Sequence, residues 1–135
     1  MNIDNTIEVL ARVEDEKDAF AYGVPGAVGF NMSSWYARNG SCEGTDICGT
    51  VACLAGHAAM MQGYQGVAGM DMFRHPETGN YEDVEVIACD VLGLDPGAGN
   101  ALFYLDNLND VYAWIARALG VDEQVLRDKV QAARQ

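Results

Sequence analysis

Apolar positions recur every three to four residues through most of this chain, and the pattern breaks at glycine and proline. From Asp4 to about Phe20, Ile3, Ile7, Leu10, Ala11 and Phe20 follow the 3.6-residue period while Glu8, Glu14, Asp15, Glu16 and Asp18 fall on the other side, which predicts an amphipathic helix. Asp4 is placed to cap it, and Glu8 suits the positive end of its dipole. The acidic far end opposes that dipole, which predicts fraying near Asp18. Gly23, Pro25, Gly26 and Gly29 make the next stretch a loop, and Phe30 to Tyr36 reads as a short extended piece or as a turn capped by Ser33 or Ser34. A second loop covers Asn39 to Asp46.

A helix is then expected from a cap at Thr50 to about Gly63. Ala52, Ala55, Gly56, Ala59 and Gly63 lie near one face, and Val51, Leu54 and Met61 supply bulk on the others. Cys48 to Met61 carries no charge, so the helix is apolar all round and belongs at the centre of a bundle. Met70 to Phe73 alternates weakly before a turn at His75 to Asn80, which predicts a small hairpin. Glu82 to Leu92 reads as a helix with Val84, Ile87, Ala88 and Val91 on one face and Gly93 as its stop. Asp95-Pro96 opens a short helix through Ala101, Leu102 and Leu105. Asn109 or Asp110 opens the next, with Val111, Trp114, Ile115, Ala118 and Leu119 inward and Gly120 closing it. Asp122 caps the last, where Val125, Leu126, Lys129 and Val130 recur. The fold class expected is mainly α: one helical domain over residues 1–135 with a possible small β-hairpin.

Length and composition agree with that architecture. A chain of 135 residues fits one domain and buries roughly two-thirds of its unfolded surface. Half the residues are apolar, which separates it from disordered chains. Charge changes the picture more: 20 acidic residues against 8 basic ones give a net charge of −12. Such a field repels nucleic acid and anionic membranes and attracts basic partners. The start, Met1 to Asn5, shows no basic region and no apolar run, and no apolar run reaches the ~20 residues that span a bilayer, so a cytoplasmic location is the expectation. The four cysteines are then expected to stay reduced.

The polar residues offer several candidate chemistries. Cys42, Cys48, Cys53 and His57 form a C-x5-C-x4-C-x3-H run, with Cys53 and His57 one helical turn apart; the run lacks the close cysteine pair of structural zinc sites, and core packing explains the same residues. Cys48 ahead of a helix start suits a lowered thiol pKa, with His75 as the base it would need, as in a Cys-dependent hydrolase. Asp106 to Asp110 resembles a Ca²⁺ loop but lacks its glycine and distal glutamate, and Gly93 to Gly99 lacks a phosphate-loop lysine. Among the aromatics, Tyr104 and Tyr112 are candidates to line a groove.

Phe30-x-Met32-x-x-Trp35, Cys48-Gly49-Thr50-x-x-Cys53-x-Ala55-Gly56-x-Ala58, and Leu92-Gly93-Leu94 followed by Leu102-Phe103-Tyr104 resemble a group of small bacterial and phage proteins without an established activity. The resemblance covers about residues 30 to 105. It implies a shared fold and a bacterial or phage setting, and no reaction. Tryptophan often stands at the His57 position in that group, which implies a packing role.

The expected function is therefore non-enzymatic and without a cofactor: a small acidic cytosolic protein acting by protein–protein interaction. Its contact surfaces would be Glu14, Asp15, Glu16 and Asp18 on the first helix, together with Glu8, and Glu82, Asp83, Glu85 and Asp90. One concrete form is a phage-encoded inhibitor whose carboxylates stand in for phosphates in the groove of a basic, nucleic-acid-binding target. A simpler reading is that acidity keeps a small protein soluble. The alternative from another class is a thiol- or zinc-dependent enzyme centred on Cys48, Cys53 and His57.

Overall fold

The computed structural model describes the chain except residues 31, 33–36, 39–49 and 68–69. Helix α1 spans Ile3–Ala21. Its cap is Asn2, not Asp4: the Asn2 side chain accepts the Asn5 N–H at 3.0 Å, and the Thr6 hydroxyl donates to the Asn2 carbonyl at 2.6 Å. The buried stripe is Thr6, Val9, Leu10, Ala11 and Val13, while Ile3 is exposed. The period is the expected one, but its phase is turned because α1 packs against neighbours on more than one side. The helix extends past Asp18 to Ala21. Arg134 reaches across from the last helix to Asp15 at 2.7 Å and Asp18 at 2.6 Å, so a cation meets the negative end of the α1 dipole.

Strand β1 (Val28–Phe30) pairs in parallel with β3 (Thr50–Ala52), which in turn pairs antiparallel with β2 (Ala37–Arg38). Thr50 is thus in a strand rather than at a helix cap. Thr50 and Val51 are β-branched and favour extended backbone, and helix α2 starts only at Leu54 and ends at Met61. Its N-cap, Cys53, makes no side-chain capping bond. Leu54 through Ala59 are buried without a break, so this uncharged segment is the centre of the domain, as its pattern predicted.

The expected hairpin is a three-stranded antiparallel sheet: β4 (Gln65–Gly66), β5 (Met72–Arg74) and β6 (Tyr81–Asp83), in that order, with Phe73 opposite both Gly66 and Glu82. Glu82 and Asp83 belong to β6, and helix α3 begins two residues later than expected, at Val84, running to Leu92. Val84, Ile87, Ala88 and Val91 are buried on one face. Helix α4 spans Pro96–Phe103 with Asp95 as its cap, as predicted. Helix α5 spans Leu108–Leu119, capped by Asn107 rather than Asn109 or Asp110; Val111, Tyr112 and Ile115 are buried and Ala118 is exposed. Helix α6 spans Glu123–Ala133 behind Asp122, burying Leu126 and Val130 and exposing Val125. Mainly helical with a small β component is therefore the architecture.

Gly93 joins the chain ends of this packing. Its φ of +67° closes α3 in the left-handed region, and a Cβ there would lie 2.9 Å from the Asn2 backbone nitrogen. That nitrogen donates to the Leu92 carbonyl at 2.7 Å, tying the start of α1 to the end of α3. Gly120 has the same φ class with open space around it. Gly93→Ala is expected to lower unfolding free energy by about 2–3 kcal/mol and Gly120→Ala by about 1 kcal/mol. Urea denaturation of both checks this, and equal losses would mean the Asn2 contact carries no energy.

Candidate functional site

Titratable side chains gather in three places. The first is the buried centre. His57 on α2 is fully buried and places Nε2 2.9 Å from the Gly29 carbonyl oxygen in β1. A carbonyl only accepts, so Nε2 carries the proton and Nδ1 holds the lone pair. Among the described residues Nδ1 has no hydrogen-bond partner, and neither has the buried Nε of Arg12. Burial, and then the nearby Arg12 charge, lower the His57 pKa from 6.5 to about 4. Cys53 is buried as well, and burial pushes its thiol up to about 11, far from a thiolate at neutral pH. Cys42 and Cys48 lie outside the described residues, and so does the Cys48 half of a Cys48–His75 pair. Among the described residues no three Cys, His, Asp or Glu side chains converge on a possible metal position.

The second place is the acidic side of α1, where the carboxylates are engaged within the chain. Asp15 and Asp18 hold Arg134. Glu14 lies 3.8 Å from Arg134 and 3.7 Å from Lys17, and it accepts the Tyr112 hydroxyl at 3.4 Å. Glu16 accepts the Val28 N–H at 2.8 Å, fastening the loop after α1. Tyr112 is not a groove residue: it is 2% exposed, with the Arg127 guanidinium 4.1 Å above its ring.

The third place is the face made by β6 and α3. Asp83 caps α3 by accepting the Glu85 N–H at 2.8 Å. Glu82 accepts the Tyr64 hydroxyl at 3.0 Å, and Glu85 accepts the Tyr104 hydroxyl at 2.7 Å. The Glu85 bond, followed by burial, pushes the Tyr104 phenol up to about 12. Burial, then the Glu82 bond, raises Tyr64 above the usual tyrosine range. Val86, 65% exposed, and Asp90 form a ridge between two clefts. One, of about 400 Å³, includes Asn5, Gln62, Tyr64, His75 and Glu82; the other, of about 310 Å³, includes Asp83, Glu85, Cys89, Leu94 and Pro96. No lysine or arginine lines either cleft among the described residues.

Of the carboxylates expected to make contact surfaces, Glu82, Asp83 and Glu85 thus share one cleft-bearing face, while Glu14, Asp15 and Asp18 share a guanidinium. Tyr64, Asn5, Gln62 and Val86 were missed as site residues. They come from separate elements, and no local spacing relates them.

Two measurements follow. The unfolded chain protonates His57 near 6.5 and the fold only near 4, so between those values the unfolded state binds more protons. The stability tied to a neutral His57 is complete above about 6.5 and is lost as pH falls toward 4. The advantage of the wild type over His57→Gln in unfolding free energy should shrink by about 1.4 kcal/mol per pH unit across that window; a constant difference would contradict the burial. Arg134→Gln should cost about 1 kcal/mol at low salt, and the deficit should narrow in about 1 M salt. Thermal melts at the two ionic strengths report it.

No protein-family model, curated protein or solved structure was found to match this chain.

Proposed function

We propose that this protein acts by protein–protein interaction, offering the carboxylates of β6 and α3 to a basic partner. The observation that carries the reading is the Val86–Asp90 ridge, flanked by two clefts whose walls bear Glu82, Asp83, Glu85 and Asp90 and, among the described residues, no cation. The α1 face is the weaker candidate because Arg134 and Lys17 offset its charge from within. A basic patch approaching the α3 face meets no such competitor in the cleft walls. The net charge of −12 adds long-range attraction, which speeds encounter with a cationic surface. In its narrower form the partner is a nucleic-acid-binding protein, and the carboxylate row occupies the positions of phosphates.

The test is a pair of charge-matched variants of the full chain, immobilised and exposed to a bacterial lysate at low and high salt. Asp83→Asn/Glu85→Gln/Asp90→Asn removes three charges from the proposed face. Asp4→Asn/Glu8→Gln/Asp106→Asn removes three from elsewhere. Retained basic proteins should leave the wild type as salt rises or when a DNA duplex is added, and the first variant should associate about tenfold more slowly than the second. Retention that ignores both salt and DNA, or equal losses in the two variants, would overturn the proposal.

A further inference from the structure

The larger cleft beside α3 has a lining more particular than negative charge. Its walls come from the start of α1 (Asn5), the C-cap of α2 (Gln62), the link from α2 to β4 (Tyr64), the β5–β6 turn (His75), β6 (Glu82) and α3 (Asp90). Asn5, Tyr64, Glu82 and His75 are oriented by hydrogen bonds. Asn5 donates its Nδ2 to the Val91 carbonyl at 2.8 Å, which leaves its Oδ1 as an acceptor. Tyr64 spends its hydroxyl proton on Glu82 Oε2, leaving the second carboxylate oxygen of Glu82. His75 Nδ1 accepts the N–H groups of Glu77 at 3.1 Å and Thr78 at 3.2 Å, so the neutral ring carries its proton on Nε2 and is held by its own turn. The Tyr64 and His75 rings meet edge-on at 5.2 Å and 84°, so the two rings line the cleft without being coplanar.

The cleft therefore combines two carboxylates on different elements, amide acceptors from Asn5 and Gln62, and two aromatic rings. Several acceptors beside an aromatic ring suit a planar, many-donor cation. A guanidinium has five donors in a fixed fork, sheds water more readily than an ammonium and stacks on aromatic rings. An ammonium is a compact, strongly hydrated charge that gains little in an open cleft. The volume of about 400 Å³ is at the small end of ligand sites, suited to one side chain rather than a folded segment.

We infer that this cleft receives the guanidinium of a single arginine side chain on the basic partner. This rests on the interaction reading above and names its chemistry. Glu82 and Asp90 neutralise the charge, the Asn5 and Gln62 amides take remaining donors, and one ring of the Tyr64–His75 pair provides the stacking face.

The test uses the full-length, ¹⁵N-labelled chain titrated with N-acetyl-arginine methylamide, then with the lysine and citrulline analogues, followed by amide NMR. The arginine compound should give saturable shifts grouped at Asn5, Tyr64, His75 and Asp90. Half-saturation should come at a concentration at least about fivefold below that of the lysine compound, with citrulline inert. Glu82→Gln, which keeps an acceptor for Tyr64, and Asp90→Asn should each weaken the response about fivefold or more, their spectra showing that the fold is intact. Equal responses to arginine and lysine, shifts scattered over the surface, or indifference to both substitutions would overturn the assignment. An inert arginine compound alongside salt-sensitive partner retention through Asp83 and Glu85 would overturn the pocket and leave the interaction reading standing. A saturable arginine response alongside salt-insensitive retention would support the pocket and overturn the wider reading.

Discussion

The domain depends on burying a helix that carries one polar side chain in its interior. Leu54 through Ala59 are all buried, and His57 among them is the single residue whose side chain must find a hydrogen bond there. It finds one in the Gly29 carbonyl, at 2.9 Å. An unpaired polar group in such a place costs about 1–3 kcal/mol; this bond removes that cost for Nε2, while Nδ1 has no partner among the described residues. The same bond also places the β1 strand against α2. Gly29 is suited to that position because a Cβ there would meet the Phe20 ring at 2.9 Å. The end of α1, the strand β1 and the centre of α2 are therefore positioned together.

Around that centre, charge is sorted by where compensating groups are available. Arg134 at the end of α6 folds back onto α1, so the acids of that helix become part of the packing between first and last helices. The acids of β6 and α3 are used differently. Asp83 spends its carboxylate on the helix cap, and Glu82 and Glu85 each hold a tyrosine hydroxyl. These are hydrogen bonds from neutral donors, so the negative charge persists at the surface. Two acidic surfaces with similar composition thereby acquire different characters: one shares a guanidinium with the end of α6, and in the other no carboxylate pairs with a cation among the described residues.

The larger cleft owes one wall to the three-stranded sheet. Phe73 is fully buried and anchors β5 between β4 and β6. The turn after β5 then holds His75 by two backbone N–H groups, and its ring stands edge-on to Tyr64. A turn that would otherwise be a surface connection becomes a fixed wall. The face therefore presents a defined shape as well as charge.

The amphipathic period, the glycine stops and two of the helix caps were readable along the chain because they are local, while the caps of α1, α2 and α5 are Asn2, Cys53 and Asn107 and not the residues expected. Asp95-Pro96 and Asp122 start helices, Gly93 and Gly120 end them in the left-handed region, and the uncharged stretch containing His57 is central. What depended on partners distant in sequence was not readable. Thr50 and Val51 are strand rather than helix because β1 supplies a pairing edge. The α1 stripe is rotated because neighbours pack on several of its sides, and Tyr112 is buried because Glu14 and Arg127 satisfy it from other helices. The same holds for function: the abundance of carboxylates is a property of composition, but which of them keep an outward charge is decided by whether Arg134 or a tyrosine hydroxyl lies within reach, and only tertiary packing brings those groups together.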